Sequence, residues 1–367
     1  DGEEFVSRFP QVDVVVGTHN LADIPELVER VQQGEGPFVK VEKKGNHFHL
    51  PSSPASNFKG MVTISMGCDQ WCTFCIVPYV RGQLRSRPLP LVVSEVKRLA
   101  WEGHREILLL GQNVNDYGRD LEDDVDFADL LDSLKDLKGL DRLRFTSPHP
   151  FYYTQKVIDS MAANRAVCEH IHLPLQSGDD EVLKRMRRQY SKAEFLDLVK
   201  RMREAIPNLS ITTDIIVGYP GETEEQFQET LDVVRKVRFT SAFMFAYSPR
   251  PGTPGAMFKD QVPEKEKMDR LYRLIEVQND ISYEDNQKLL GREFEVLIEG
   301  RSKKHAQRCT GRTRCHRLVH FDVDLDQDLQ GRLARVKLEK GLTWGFIGKM
   351  LEVEPHFRAW SADKQTV

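Results

Sequence analysis

The chain has 367 residues, 40% of them hydrophobic, and a formal net charge of −4, which allows a catalytic domain with a smaller appendage and carries no global sign of nucleic-acid binding. Its six cysteines are too few for a disulfide framework and suit metal ligation in a reducing compartment. With no long apolar run and no signal-like leader after Asp1-Gly2-Glu3-Glu4, the sequence reads as cytoplasmic, with no membrane partner.

In chain order, Val12–Val16 followed by Gly17 and a helix from about Ile24 to Gln33 reads as one βα unit without partners, too short to fold alone. From Met61 to about Tyr247 one theme repeats: a short Val/Ile/Leu-rich run, a polar or Gly-containing corner, then an amphipathic helix. The predicted strands are Met61–Met66, Glu106–Leu110, Arg142–Thr146, His170–Leu173, Ile211–Val217 and Ser241–Tyr247. Ser191 with Glu194, and Thr223 with Gln226, match capping boxes. After them Phe195, Leu198, Val199, Met202 and Ile206, then Phe227, Leu231, Val234 and Val237, form helical stripes that predict core. Six parallel strands with short connections predict a partial (β/α)6 barrel, an α/β fold whose functional groups gather after the strand C-termini. The corners are Gly67-Cys68, Gly111-Gln112-Asn113, Ser147-Pro148-His149, Gln176-Ser177-Gly178, Gly218–Glu222 and Ser248–Thr253, and all six are expected at one mouth.

The first corner carries Cys68, Cys72 and Cys75 in a C-x3-C-x2-C spacing. Three thiolates on a compact loop can hold three corners of a [4Fe-4S] cluster, and with no nearby fourth cysteine one iron stays open for an external ligand. An open iron can chelate the amino and carboxylate groups of a methionine moiety, so that one electron cleaves the sulfonium to a 5′-deoxyadenosyl radical. That is radical S-adenosylmethionine (SAM) chemistry. A zinc site usually needs a second C-x2-C or paired histidines, which do not follow here; ordinary buried thiols are the other reading. Expected cofactor contacts are Phe74 on the same loop, Gly111, Gln112, Asn113, Gln176, Ser177 and Gly218 at later corners and Asp214 on the fifth strand, with Arg185 as a cation for the methionine carboxylate or a phosphate.

Residues 264–290 read as a charged helical connector, and from Gly291 short alternating β segments, Phe294–Ile298 the clearest, predict a small all-β barrel ending near Glu354. The expected domains are therefore 1–45, 52–288 and 291–355. Between Gly300 and Phe321 lie Arg301, Lys303, Lys304, Arg308, Arg312, Arg314 and Arg317, with His305, His316 and His320 and no acidic residue. This predicts a basic RNA-facing surface.

Together, Gly67–Tyr79, Leu110–Asn115, Thr146–Pro150, His172–Gly178, Thr213–Thr223 and Tyr247–Pro254 resemble the methylthiotransferase family of radical SAM enzymes, its tRNA-modifying branch above all. The resemblance implies transfer of a methylthio group to C2 of an N6-(dimethylallyl)adenosine beside the anticodon, with one SAM donating methyl and a second the radical. It names the C-terminal module a TRAM domain, an OB-like RNA-binding barrel, and implies an anticodon stem-loop and an electron donor such as flavodoxin or ferredoxin as partners. It also implies an auxiliary [4Fe-4S] cluster in an N-terminal domain, of which 1–45 is expected to be a remnant. Cys168, Cys309 and Cys315 do not fit as its ligands and read as structural thiols, so the chain as given is expected to bind the SAM cluster without completing sulfur insertion. Alternatives are a sister methylthiotransferase acting on threonylcarbamoyl-adenosine or a ribosomal-protein aspartate, and a non-catalytic RNA-binding protein with a structural cluster.

Overall fold

The computed structural model describes residues 2–42, 56–302, 305, 307–324 and 328–354. Lys303 and Lys304, and the expected domain limits at 45, 52 and 355, lie outside the described residues.

Helix α1 (Gly2–Arg8) precedes strand β1 (Val14–Val16), helix α2 (Ile24–Gln32) and strand β2 (Phe38–Lys40). β1 pairs with β2 in parallel, Val14 opposite Phe38. The expected lone βα unit is thus a complete βαβ: a three-residue strand is too short for the period-2 alternation that marks strands in sequence.

The central domain alternates β3 (Lys59–Thr63), α3 (Leu89–Trp101), β4 (Glu106–Leu110), α4 (Phe127–Ser133), β5 (Arg142–Phe145), α5 (Gln155–Ala163), β6 (His170–His172), α6 (Asp180–Arg185), α7 (Lys192–Ala205), β7 (Ser210–Val217), α8 (Glu224–Val237) and β8 (Ser241–Ala246). All six predicted strands form. They make two parallel three-stranded sheets, β3-β4-β5 and β6-β7-β8, joined by a parallel bridge between Leu143 and Val167. β3 and β8 end up as the free edges of a partial barrel. Both predicted capping boxes close, Ser191 with Glu194 and Thr223 with Gln226, and the predicted stripes of α7 and α8 are buried. Along β8 the alternation splits the strand: Ala242 and Met244 pack against the helical core, whereas Phe243 and Phe245 stay exposed on the other face.

Helix α9 (Glu264–Gln287) was expected to act as a connector. It buries Leu274, Gln278, Ile281 and Ser282, and Gln278 and Ser282 donate to the carbonyls of Phe239 and Thr240, so it closes the edge of the domain beside β8. The charged composition hid this because the buried face is itself largely polar, with Lys267 and Arg270 on it.

The last five strands, β9 (Glu293–Arg301), β10 (Arg308–Thr313), β11 (Leu318–Asp322), β12 (Leu333–Leu342) and β13 (Gly345–Val353), close into a barrel in the order β9-β10-β11-β13-β12. Val296, Ile298, Val319, Phe321, Val336 and Phe346 fill it. The β10–β11 turn docks at the N-terminal ends of the central strands. Buried Arg142 donates to the Arg312 carbonyl at 2.8 Å and to Glu295 at 2.9 Å; Arg144 reaches Glu106 at 3.0 Å and the carbonyls of Thr313 and Arg314 at 3.0 and 2.9 Å.

This seam corrects the expected continuous basic surface. Arg314 pairs with Glu169 at 2.9 Å and donates to the carbonyls of Asp141, Arg165 and Val167. Arg312 faces Glu299 at 3.4 Å and Arg317 bonds Asn286 at 2.5 Å. The acids missing from 300–320 are supplied by other segments, which a local charge reading cannot see. Arg308 pairs only loosely on the surface with Asp322, 72% exposed, at 3.0 Å, and Arg301 donates to the carbonyl of Asp324 at 3.1 Å.

Candidate active site

The cysteine loop leaves β3 through Ser65–Met66, which pairs with Arg85–Ser86. Its shape depends on Gly67, held at φ +77°, where a Cβ would lie 1.9 Å from the Gln83 carbonyl oxygen. Only glycine lets the two backbone segments approach this closely. Cys68 N–H then donates to the Gly82 carbonyl at 3.1 Å, Cys72 N–H to Gln70 at 2.6 Å and Cys75 N–H to Cys72 at 3.0 Å. Side chains from other corners hold the loop as well: the Gln112 amide oxygen accepts from Gly67 N–H at 2.6 Å, and Arg119 grips Asp69 at 2.8 Å.

Cys68, Cys72 and Cys75 all line one cavity of about 440 Å³ at the C-terminal ends of the strands. Opposite them stand Gln112, Asn113, Ser147, Pro148, His149, Pro174, Gln176 and Arg188, with Asp214 and Phe243 from inside the barrel. Four of the six predicted corners therefore meet there. The fifth corner acts as a buttress, Tyr219 OH lying 2.5 Å from Thr73 Oγ1, and just past the sixth Gly255 N–H donates to the Thr73 carbonyl at 2.8 Å.

Several expected contacts sit elsewhere. Arg185 points away from the cavity, paired with Asp260 at 2.6 Å, and Arg188 takes its place at the wall, 3.5 Å from Cys72 Sγ. α6 ends at Arg185 and Arg187 adopts φ +57°, so the chain turns back and no helical-face argument could have chosen Arg188. Gly218, at φ +68°, is pressed against Lys267 of α9. Ser177 is fully buried, its hydroxyl accepting from Asp179 N–H at 3.3 Å. Gly111 meets Ser65, where a Cβ would come within 2.5 Å of the hydroxyl oxygen. Phe74, Gln112, Asn113, Gln176 and Asp214 line the cavity as expected. His149, in the third corner, received no role from the sequence; it had no spacing signal to mark it.

The wall chemistry suits an iron–sulfur cluster and a polar ligand on it. All three cysteines are free thiols. Burial pushes the Cys68 thiol up to about 12 and raises that of Cys75, which favours the neutral thiols unless a strong cation such as iron is bound. Burial, with Arg188 nearby, drops His149 to about 2, which keeps its ring neutral. Its Nδ1 accepts from Phe151 N–H at 3.2 Å, which leaves Nε2–H as a buried donor without a partner among the described residues. Asn113 Oδ1 is likewise buried and unpartnered. One unused donor and one unused acceptor beside three thiols match the carboxylate and amino groups of a methionine moiety. Of the other cysteines, Cys168 and Cys309 are buried, as structural thiols should be, and Cys315 bonds Thr313 Oγ1 at 3.1 Å.

Residues 62–234 match the Radical SAM superfamily. The tRNA-2-methylthio-N(6)-dimethylallyladenosine synthase of Carboxydothermus hydrogenoformans is 47% identical over 341 residues, 92% of this chain and 77% of that one. The enzyme of the same name from Alkaliphilus oremlandii is 45% identical over 352 residues, 95% of this chain and 74% of that one. The chain belongs to this synthase family. Synthases of this kind are radical SAM methylthiotransferases, with a [4Fe-4S] cluster and SAM as cofactors, and Cys68, Cys72 and Cys75 fall inside the matched superfamily segment. Among solved structures, the radical SAM enzyme coproporphyrinogen III oxidase from Escherichia coli is similar at a TM-score of 0.46 and 14% identity, over 71% of this chain and 67% of that one. No helix among the described residues is long and apolar enough to cross a membrane.

Proposed function

We propose that this protein adds a methylthio group to C2 of N6-(dimethylallyl)adenosine in tRNA, beside the anticodon. The observation that carries the reading is identity of 45–47% along more than nine-tenths of the chain to synthases of that name, in a molecule whose Cys68, Cys72 and Cys75 converge on one cavity. A [4Fe-4S] cluster held by these three thiolates would supply the electron that cleaves SAM.

The protein's own residues do the rest by placement. Asn113 Oδ1 and His149 Nε2–H hold the polar end of the methionine moiety, and Arg188 adds positive charge beside Cys72. Gln112, through Gly67, fixes the loop on which the cysteines ride. The barrel walls exclude water from a radical that would otherwise be lost to side reactions. Residues 291–354 serve as the RNA-gripping TRAM domain, with residues 56–288 as the catalytic barrel; Arg301 and Arg308, outside the seam, supply phosphate contacts. A ferredoxin- or flavodoxin-class protein provides electrons.

Mass spectrometry of tRNA nucleosides tests this. In a strain lacking the gene, 2-methylthio-N6-dimethylallyladenosine should vanish while N6-dimethylallyladenosine accumulates, and the intact gene but not its Cys72→Ala form should restore it. An unchanged nucleoside profile would refute the proposal.

A further inference from the structure

A second cavity, of about 450 Å³, lies along the seam between the central domain and the C-terminal barrel. It shares Thr146, His172 and Phe243 with the cluster cavity, so the two adjoin. Of the three shared residues, Phe243 alone offers a broad apolar face. It is 58% exposed although it sits within a strand, and the residues beside it, Ala242 and Met244, already supply that strand's core packing. Phe245, on the same face, lines neither cavity.

The ring stands on a fixed support. The His172 ring lies edge-on to it at 5.9 Å and 66°. His172 is itself pinned, with Nε2 at 3.1 Å from Asp214 and Nδ1 at 3.0 Å from Thr212 Oγ1. An exposed aromatic beside a pinned histidine, on the wall shared by two cavities, is unexplained by folding. It fits recognition of an apolar group.

The geometry of adenine says which group. C2 and C6 are both bonded to N1, so a base that presents its C2 edge to the cluster cavity carries its N6 substituent along the neighbouring edge. A substituent so placed runs beside the cluster cavity, whose wall includes Phe243. We propose that Phe243 is the specificity-determining residue that recognises the N6-dimethylallyl group of the target adenine; this rests on the function proposed above. A bare N6 amino group gains nothing from that ring, whereas a five-carbon apolar group is removed from water against it.

The test compares two anticodon stem-loop RNAs, identical except for the dimethylallyl group, in binding to the cluster-loaded chain by fluorescence anisotropy. Wild-type protein should prefer the dimethylallylated RNA by about 10- to 100-fold, the range that one small apolar group commands in a pocket. Phe243→Ala should bring that ratio close to one with little change for the unmodified RNA, and Phe243→Leu should keep part of it. Because Phe243 is exposed, both variants should melt and load iron as wild type does. A ratio unchanged in Phe243→Ala, an equal loss for both RNAs, or a wild type that binds both alike overturns the assignment to Phe243. A wild type that binds neither RNA overturns the tRNA reading beneath it.

Discussion

Replacing Gly67 by alanine tests the link between backbone geometry and cluster binding. A Cβ there would lie 1.9 Å from the Gln83 oxygen, 2.6 Å from its carbon and 2.7 Å from the Gly82 oxygen. All three are backbone atoms, so no side chain can rotate away. The φ of +77° costs a residue with a Cβ about 1–2 kcal/mol. Displacing Gly82 adds the loss of the Cys68 N–H bond to its carbonyl, about 1 kcal/mol more. Gly291 provides the control: its φ is also +77°, but a Cβ there meets nothing within 4 Å. Gly291→Ala should therefore lower stability by only about 1–2 kcal/mol and load a full cluster. Gly67→Ala should lose about 2–3 kcal/mol and most of its cluster, because Cys68 is the first residue moved. Iron and acid-labile sulfide per chain after anaerobic reconstitution, read beside the melting temperature, separate the two effects. Reconstitution of Gly67→Ala to the level of Gly291→Ala would refute the reasoning.

Three further outcomes follow from the seam and the barrel. Arg314→Ala strands the partly buried Glu169 and frees three carbonyls, so it should cost about 2–3 kcal/mol and speed limited proteolysis near residues 288–292; an unchanged digestion pattern contradicts the docking role. Arg308→Ala removes a surface pair of little worth and should instead lower the salt slope of tRNA binding by about 0.7–0.9, without a change in melting temperature. His316 is held down to about 3, chiefly by burial and then by Arg144 and Arg312, whereas the unfolded chain takes up its proton near 6.5. The contribution of its neutral ring, stacked on His170 at 4.6 Å, is thus fully present above 6.5 and lost as pH falls from 6.5 towards 3. His316→Gln should flatten that acid limb in pH-dependent melting, and an identical limb would show that His316 does not control it.

Much of the molecule was legible in local pattern. The six barrel strands, the capping boxes at Ser191 and Thr223 and the core stripes of α7 and α8 arise from residue-to-residue periodicity, which the finished fold preserves because it buries those same faces. The cysteine loop was legible for a similar reason: three thiols that line one cavity must lie close in space, and here they also lie close in sequence. The sequence by itself therefore determined the barrel, its mouth and the three cysteines that line it.

Tertiary structure alone decided where the charges go and what the mouth opens onto. Arg188 rather than Arg185 reaches the cluster cavity because Arg187 turns the chain left-handed just past a helix end. Arg312, Arg314 and Arg317 look unopposed in sequence, yet meet Glu299, Glu169 and Asn286. Phe243 reads as one more core residue of a strand until the alternation along β8 sets its ring on the face opposite the helical core, where two cavities meet. Electrostatic and cavity-forming contacts join residues far apart in the chain, and their partners are fixed only when the fold closes and, for Arg314 with Glu169, when the two domains dock.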